Sequence, residues 1–260
     1  MLEEKIKAGL ILEPTGGKEL QKENLAEEIV RHVRNHDLDI LLGPEWLFLP
    51  QGRMYNEQEK NQIISYISEN IKSTDALIIP GTIMWENNTH VHNTAPIIQK
   101  GTIREVHKFS DGGTKYTAKL RGCNKPKYKN FDDPKTFKWR DYKIGIEICS
   151  DMGLLIRPLQ NKYLKDTGQK YWIPQMMEEE CFLDFYFLVS SGIAISGDRD
   201  AIPLRKGGYG LNSNGNIIPE SMVLRREQKG FTFPQCTYSQ KWPDTQLAIE
   251  IYELTNPRKE

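Results

Sequence analysis

With 260 residues, 38% of them hydrophobic, the chain is long enough to bury one large core or two small ones. Its 35 basic and 35 acidic side chains cancel, which excludes the broad basic face that nucleic acid or an anionic membrane surface would require. No stretch reaches the ~18 uninterrupted apolar residues of a membrane span, and the N-terminal MLEEKIKAGLILEP has too short an apolar run for a signal peptide, so a cytoplasmic protein with small-molecule or protein partners is expected. Cys123, Cys149, Cys181 and Cys236 show no CxxC spacing, so neither a zinc ribbon nor a disulfide framework is indicated.

In chain order, Ile6 to Leu12 form an apolar strand. A Pro-Thr-Gly-Gly break at 14–17 leads to a helical pattern with Leu20, Leu25, Ile29 and Val33 on one side. The order repeats: Asp39 to Trp46 reads as a strand, and Ile63, Ile64, Ile67 and Ile71 mark one face of the next helix. Such alternation predicts an α/β sheet with helices packed against it. Residues 76–85, 92–99 and 102–109 read as successive strands with no helix between them, so the middle of the sheet is expected to be antiparallel or mixed. Residues 110–137 are rich in Lys, Gly, Asn, Asp and Pro, show no apolar period, and are expected to be one long loop.

The run YKIGIEICSDMG at 142–153 alternates Ile144, Ile146 and Ile148 with Gly145, Glu147 and Cys149, and stops at Gly153. The thiol is therefore expected where a strand runs out, the place in α/β proteins where chemistry collects. A helix is expected after Pro158, a core strand within CFLDFYFLVSSGIAI at 181–195, and two strands in 207–218 around an Asn214-Gly215 turn. No repeat, linker or shift of composition divides the chain, so residues 1–260 are expected to form a single domain.

Two other strand ends carry chemistry. LLGPEW places Glu45 just beyond one strand, and REVHKF places Lys108 near the end of another. A thiol, a carboxylate and an ammonium on one sheet edge would make an acyl-transfer site: a nucleophile, a proton acceptor and donor, and a cation for the developing oxyanion. Singly, each has a plainer reading, as a buried structural cysteine, a loop carboxylate beside Pro44 and a solvated lysine. Lys115 is a second candidate for the ammonium. Trp46 is either a substrate wall or a packing residue. His90 and His92 share a strand face but have no third metal ligand at recognisable spacing. Lys115, Lys119, Arg121, Lys125, Lys127 and Lys129, with Tyr128, form a basic run that reads as a solvated loop. Gly112-Gly113 and Gly207-Gly208 lack a phosphate-loop pattern.

Taken in order, LLGPEW, PGTIMW, HNTAPIIQKGTI, VHKF, KIGIEICSD and GGYGLNSNGNII resemble the nitrilase, or carbon–nitrogen hydrolase, superfamily. The resemblance covers most of residues 5–151 and then 207–218. It implies an αββα sandwich with a Glu-Lys-Cys triad: Cys149 as nucleophile, Glu45 as general base and then acid, Lys108 beside the tetrahedral intermediate, and the backbone N–H of Ser150 as an oxyanion donor. It also implies a hydrolase of a small amide or other non-peptide C–N bond, without metal or cofactor, assembled as a homodimer or higher homo-oligomer. Acyl transfer from the same thioester to an amine, and a binding module that has lost activity, are the alternatives. A thiol pKa lowered by its surroundings would mark the active form.

The chain departs from the family in several places. No Glu lies within 109–140, where many members carry a second one, which leaves Asp132, Asp133 or Glu147 as the stand-in. Strand alternation puts Glu147 on the face of Cys149. Ser150 replaces a bulkier residue, and the segment between 192 and 207 is too short for the family's helix and strand. The C-terminal third is therefore expected to be abbreviated, or its helical material moved into 159–180.

Overall fold

A computed structural model of the chain describes residues 5–13, 25–50, 52–110, 113–127, 135–155, 165, 182–193, 195, 202–215, 222–228, 230–242 and 247–258. Two mixed β-sheets lie face to face, and the strands of each are set by runs of β-branched and aromatic residues. The first sheet holds β1 (Lys5–Leu12), β2 (Ile40–Leu42), β3 (Tyr55–Asn56), β4 (Leu77–Ile79), β5 (Ile83–Glu86), β6 (Val91–Gln99), β7 (Thr102–His107), β14 (Tyr238–Lys241) and β15 (Ala248–Thr255). The second holds β8 (Thr136–Trp139), β9 (Tyr142–Ile148), β10 (Leu183–Ser190), β11 (Leu204–Asn214), β12 (Met222–Arg226) and β13 (Phe231–Thr232). At the centre of the first sheet β1, β2 and β4 run parallel, with Gly9 opposite Leu41 and Leu41 opposite Ile78. In the second, β9, β10 and β11 run parallel, with Phe187 opposite both Ile146 and Leu211.

The inter-sheet core follows from the period of two. Ile6, Ala8 and Leu10 of β1 meet Ile144, Ile146 and Ile148 of β9 and Phe185, Phe187 and Val189 of β10, all buried. The other face of the first sheet is covered by α1 (Leu25–Asn35) and α2 (Glu57–Ile71), whose Ile29, Val33, Ile64, Ile67 and Ile71 recur at helical spacing and are buried. Asn56 caps α2 by accepting the Glu59 N–H, while the Glu59 side chain accepts the Asn56 N–H, a capping box. The outer face of the second sheet is also apolar, with Leu183, Tyr186, Leu188, Leu204 and Leu224 buried.

Several expectations are revised. Within 110–137 the chain forms α3 (Thr114–Leu120) and β8 rather than one loop. The buried positions of α3, Thr114, Thr117 and Ala118, are small or polar, so they carry no apolar signal. The strand through Asn214 is a single unit from Leu204. Its antiparallel partner is β12, with Leu211 opposite Val223, while 216–218 lie outside the described residues. Strand β15, unread in the sequence, pairs antiparallel with β1 from Lys5–Thr255 to Leu12–Ala248. Lys165 apart, residues 156–181 lie outside the described residues, and with them the helix expected after Pro158, the proposed relocation of helical material and Cys181. No described helix is long and apolar enough to cross a membrane.

Two buried histidines make stability depend on pH. His32 stacks on Trp242 with centroids 4.8 Å apart and also on His36, and His92 lies 3.9 Å from the Trp85 ring. Burial first, and neighbouring histidines second, lower both pKa values to about 4. The unfolded chain therefore takes up protons that the folded one refuses. Their stabilising contribution is complete above the unfolded pKa of about 6.5 and is lost as pH falls from there through 4. Thermal melts between pH 7.5 and 4.5 should show a loss on the order of 2 kcal/mol per histidine. In His32→Phe, which keeps the stack, that slope should be shallower.

Candidate functional site

The parallel strands of both sheets end at the same edge of the sandwich, and polar side chains gather there. Beyond β2 the chain turns sharply through Gly43 and Pro44 against Pro80-Gly81. A Cβ on Gly43 would come within 2.3 Å of the Pro80 carbonyl oxygen, and Gly81 has a φ of 105°, so both positions require glycine. The Thr82 N–H donates to the Pro44 carbonyl at 3.1 Å, and the Glu45 N–H donates across to the Ser190 carbonyl of the second sheet at 3.1 Å. This crossing directs Glu45 into the interior, where it is 1% exposed.

Lys108 follows the last residue of β7, and its N–H donates to the Asn93 carbonyl at 2.9 Å. Its side chain is fully buried, with Nζ 2.5 Å from Oε1 of Glu45. Asn93 Nδ2 donates to the same Oε1 at 2.8 Å. Glu45 Oε2 is buried and receives no N–H or O–H donor, and the thiol of Cys149 lies beside the same carboxylate. Lys115 is exposed on α3 and has no part in this cluster.

Cys149 follows the last residue of β9 with a φ of 49°, a left-handed conformation rare outside glycine, which costs on the order of 1–3 kcal/mol. That turn breaks the alternation. Ile144, Ile146 and Ile148 face the inter-sheet core, and the reversal brings Cys149 to the same side, where its Sγ lies 3.9 Å from the Ser191 carbonyl oxygen. Glu147 therefore does not share the face of Cys149. Its carboxylate lies on the other side of β9 and accepts from the N–H groups of Gly153 (2.8 Å) and Leu155 (2.7 Å) and from the Tyr186 hydroxyl (2.6 Å). It holds the segment after the thiol and is no second carboxylate for the cluster. Asp132 and Asp133 lie outside the described residues.

The charges are coupled. Burial raises the Glu45 pKa, and Lys108 opposes the rise. Burial and the Glu45 carboxylate push the Cys149 thiol up to about 11, again opposed by Lys108. The sequence led to the expectation of a lowered thiol pKa; the structure raises it, because burial disfavours the thiolate and a carboxylate is already the counter-charge of Lys108. With thiol and carboxylate side by side, a second negative charge is disfavoured whichever group bears it.

Around the cluster, Trp46 also has a positive φ, 63°. Its N–H donates to Thr82 Oγ1 at 2.7 Å, and its half-buried ring lies 5.8 Å from Lys108 Nζ. Gly113, at the start of α3, packs on that ring so closely that a Cβ would approach it to 2.9 Å. Ser150 is exposed, and its hydroxyl contacts that of Ser110. Asp151, buried, accepts the N–H groups of Phe109 and Ser110. Asn93 and Asp151 are absent from the sequence-derived set. HNTA and ICSD contain them, but nothing local says that their side chains reach Glu45 and the residues after Lys108. His90 and His92 do not converge, since His92 is stacked on Trp85 and His90 bonds Thr89. Among the described residues no three His, Cys, Asp or Glu side chains are grouped to hold a metal.

No family model matches the chain, and no curated protein matches it by sequence. Solved structures do match over nearly the whole length. Saccharomyces cerevisiae Nit3, described as a member of branch 10 of the nitrilase superfamily, is 15% identical, with 96% of this chain and 90% of that one covered and a TM-score of 0.56. A CN-hydrolase superfamily protein from Xanthomonas campestris is 11% identical, with 97% and 91% covered and a TM-score of 0.55. An amidase from Nesterenkonia sp. is 10% identical, with 100% and 96% covered and a TM-score of 0.56. The two facing mixed sheets, flanked by α1 and α2 and carrying Glu45, Lys108 and Cys149 at one edge, thus have the α/β sandwich fold of the nitrilase superfamily.

Proposed function

We propose that this chain is a divergent nitrilase-superfamily hydrolase that cleaves a small non-peptide C–N bond, an amide, through a thioester on Cys149. The observation that carries the reading is the buried Lys108–Glu45 pair beside the thiol, with Glu45 Oε2 left without an N–H or O–H donor. An ion pair taken wholly out of water is costly to maintain and is weak evidence of a stabilising role. Next to a thiol it supplies a base and an oxyanion partner at fixed positions.

In this mechanism Glu45 takes the Cys149 proton as sulfur bonds to the carbonyl carbon, and Lys108, with the Ser150 N–H, faces the developing oxyanion. Glu45 returns the proton to the departing nitrogen, and the C–N bond breaks to leave a thioester and ammonia or an amine. Water then loses a proton to Glu45, attacks the thioester and releases the carboxylic acid, with the thiol restored. Moving the first proton from Cys149 to Glu45 leaves the total charge of the buried trio unchanged, so the raised resting thiol pKa is no obstacle to base-activated attack. A glutamate-to-glutamine mutant of the Nesterenkonia amidase has been observed with the acetamide moiety of fluoroacetamide added at its active-site cysteine, which supports a nucleophilic thiol at Cys149.

A panel of acetamide, propionamide and butyramide tests the proposal. Ammonia release should require both Cys149 and Glu45 and stop in Cys149→Ala and Glu45→Gln, and wild type quenched during turnover should carry an acyl mass adduct that Cys149→Ala lacks. Release of ammonia at equal rates from wild type and Cys149→Ala, or no release and no adduct with any of the three, would overturn it. If added hydroxylamine raises turnover and yields a hydroxamate, the thioester is also open to amine acceptors, as in an acyltransferase.

A further inference from the structure

The ladder between β6 and β7 ends at the hydrogen bond from the Lys108 N–H to the Asn93 carbonyl. The next two backbone N–H groups, of Phe109 and Ser110, leave the sheet and need other acceptors. Both find them in one fully buried carboxylate: Asp151 Oδ2 accepts from Phe109 at 2.6 Å and Oδ1 from Ser110 at 2.6 Å. Asp151 belongs to the short turn that carries the thiol. The Met152 N–H donates to the Cys149 carbonyl and the Leu154 N–H to the Asp151 carbonyl, each at 3.0 Å, so residues 149–154 form one hydrogen-bonded unit. Lys135 adds a second brace, with Nζ 3.9 Å from Asp151 Oδ2 while donating to the His107 carbonyl at 2.9 Å. The Ser110–Ser150 hydroxyl contact makes a third link between the same two segments.

We propose that Asp151 is a positioning residue that sets the Lys108 ammonium against the Cys149 thiol by clamping the two amides after the lysine to the turn holding the nucleophile. The inference rests on the reading of Cys149 and Lys108 given above. It places a requirement on a residue that need not touch substrate. Charge-assisted bonds of this length are among the strong ones, and Cys149 sits in a backbone conformation that must be held by its surroundings. An aspartate suits the task because its single methylene leaves the carboxylate little freedom relative to its own backbone.

Asp151→Asn keeps the volume and one acceptor oxygen but turns an NH2 group toward one of the two amides. The first readout needs no substrate: the rate of iodoacetamide addition to Cys149 as a function of pH, followed by intact mass. In a folded Asp151→Asn protein the thiol titration midpoint should rise by at least half a unit, because Lys108 no longer offsets the Glu45 charge as well. With an amide substrate, kcat should fall at least tenfold and KM less than threefold. Asp184→Asn is the control. Asp184 is equally buried, accepts the Lys143 N–H at 2.6 Å and pairs with Arg258, so its loss should lower the melting temperature and leave the thiol titration unmoved.

An unchanged midpoint in folded Asp151→Asn overturns the clamp, whether or not the protein hydrolyses any amide. If neither variant folds, hydrogen exchange of the wild type decides. The Phe109 and Ser110 amides should be protected at least 100-fold over an unstructured peptide, and exchange at the unprotected rate overturns the proposal.

Discussion

Lys108→Met is expected to inactivate the protein and to lower its melting temperature by about 10 °C. The side chain is fully buried and is the cation bonded to Glu45, so its removal leaves a carboxylate in the core with no counter-charge. Breaking one side of such a pair costs about 3–5 kcal/mol, and a chain of this size loses roughly 2–4 °C per kcal/mol. The carboxylate escapes part of that cost by taking up a proton. Once neutral it can no longer accept the proton of Cys149, and kcat/KM should fall at least a thousandfold. Differential scanning calorimetry at pH 6 and pH 8 checks the stability half. The deficit should be larger at pH 8, where keeping Glu45 protonated costs more. A variant with wild-type melting and activity would mean that the pair is not buried as the structure has it.

Glu45→Gln is expected to have opposite effects on reactivity and turnover. The carboxylate is what, after burial, pushes the thiol up to about 11, while Lys108 pulls it down. With glutamine at 45 the buried ammonium has lost its partner, and the thiol becomes the group able to supply the compensating negative charge. Its pKa should drop below that of an ordinary cysteine. Alkylation by iodoacetamide at pH 7.5 should then be at least tenfold faster than in wild type, although hydrolysis of an amide falls at least a thousandfold for want of a base. In wild type, raised Glu45 basicity places the acidic limb of kcat/KM above the usual carboxylate range, and this limb should vanish in Glu45→Gln. A thiol that becomes less reactive in that variant would show that Glu45 activates it in the resting protein, contrary to the charge balance described above.

The sequence was most legible where one periodicity ran undisturbed. The alternating isoleucines of β9 and the isoleucine stripe of α2 lie where the pattern places them. Glu45, Lys108 and Cys149 could be placed just beyond strand ends, and the order of the surrounding motifs grouped them. The pattern misled one residue past its own end: Cys149 and Glu147 share a face only while the backbone stays extended, and a φ of 49° reverses the thiol. No residue type near Cys149 announces that turn. Helix α3 escaped notice because its inner face is threonine and alanine. Asn93, Thr82 and Asp151 were silent for another reason. Their partners are 48, 36 and about 41 positions away along the chain, and only the closed sandwich brings them together.

Strand β1 lies between β2 and β15, so the first strand of the chain is flanked on one side by a strand some 240 residues downstream, with Ala8 opposite Tyr252. During synthesis on the ribosome, β1 therefore emerges with one edge that stays bare until the residues of β15 have been made. Closing that gap is a contact of very long sequence separation, the slow kind in folding. Glu45 is carried by the strand beside β1, and Ser190, which anchors its turn, comes from the opposite sheet. Until β15 arrives, the strand next to the Glu45 turn therefore has an open edge, and that edge is a place where a chaperone and an aggregate would compete.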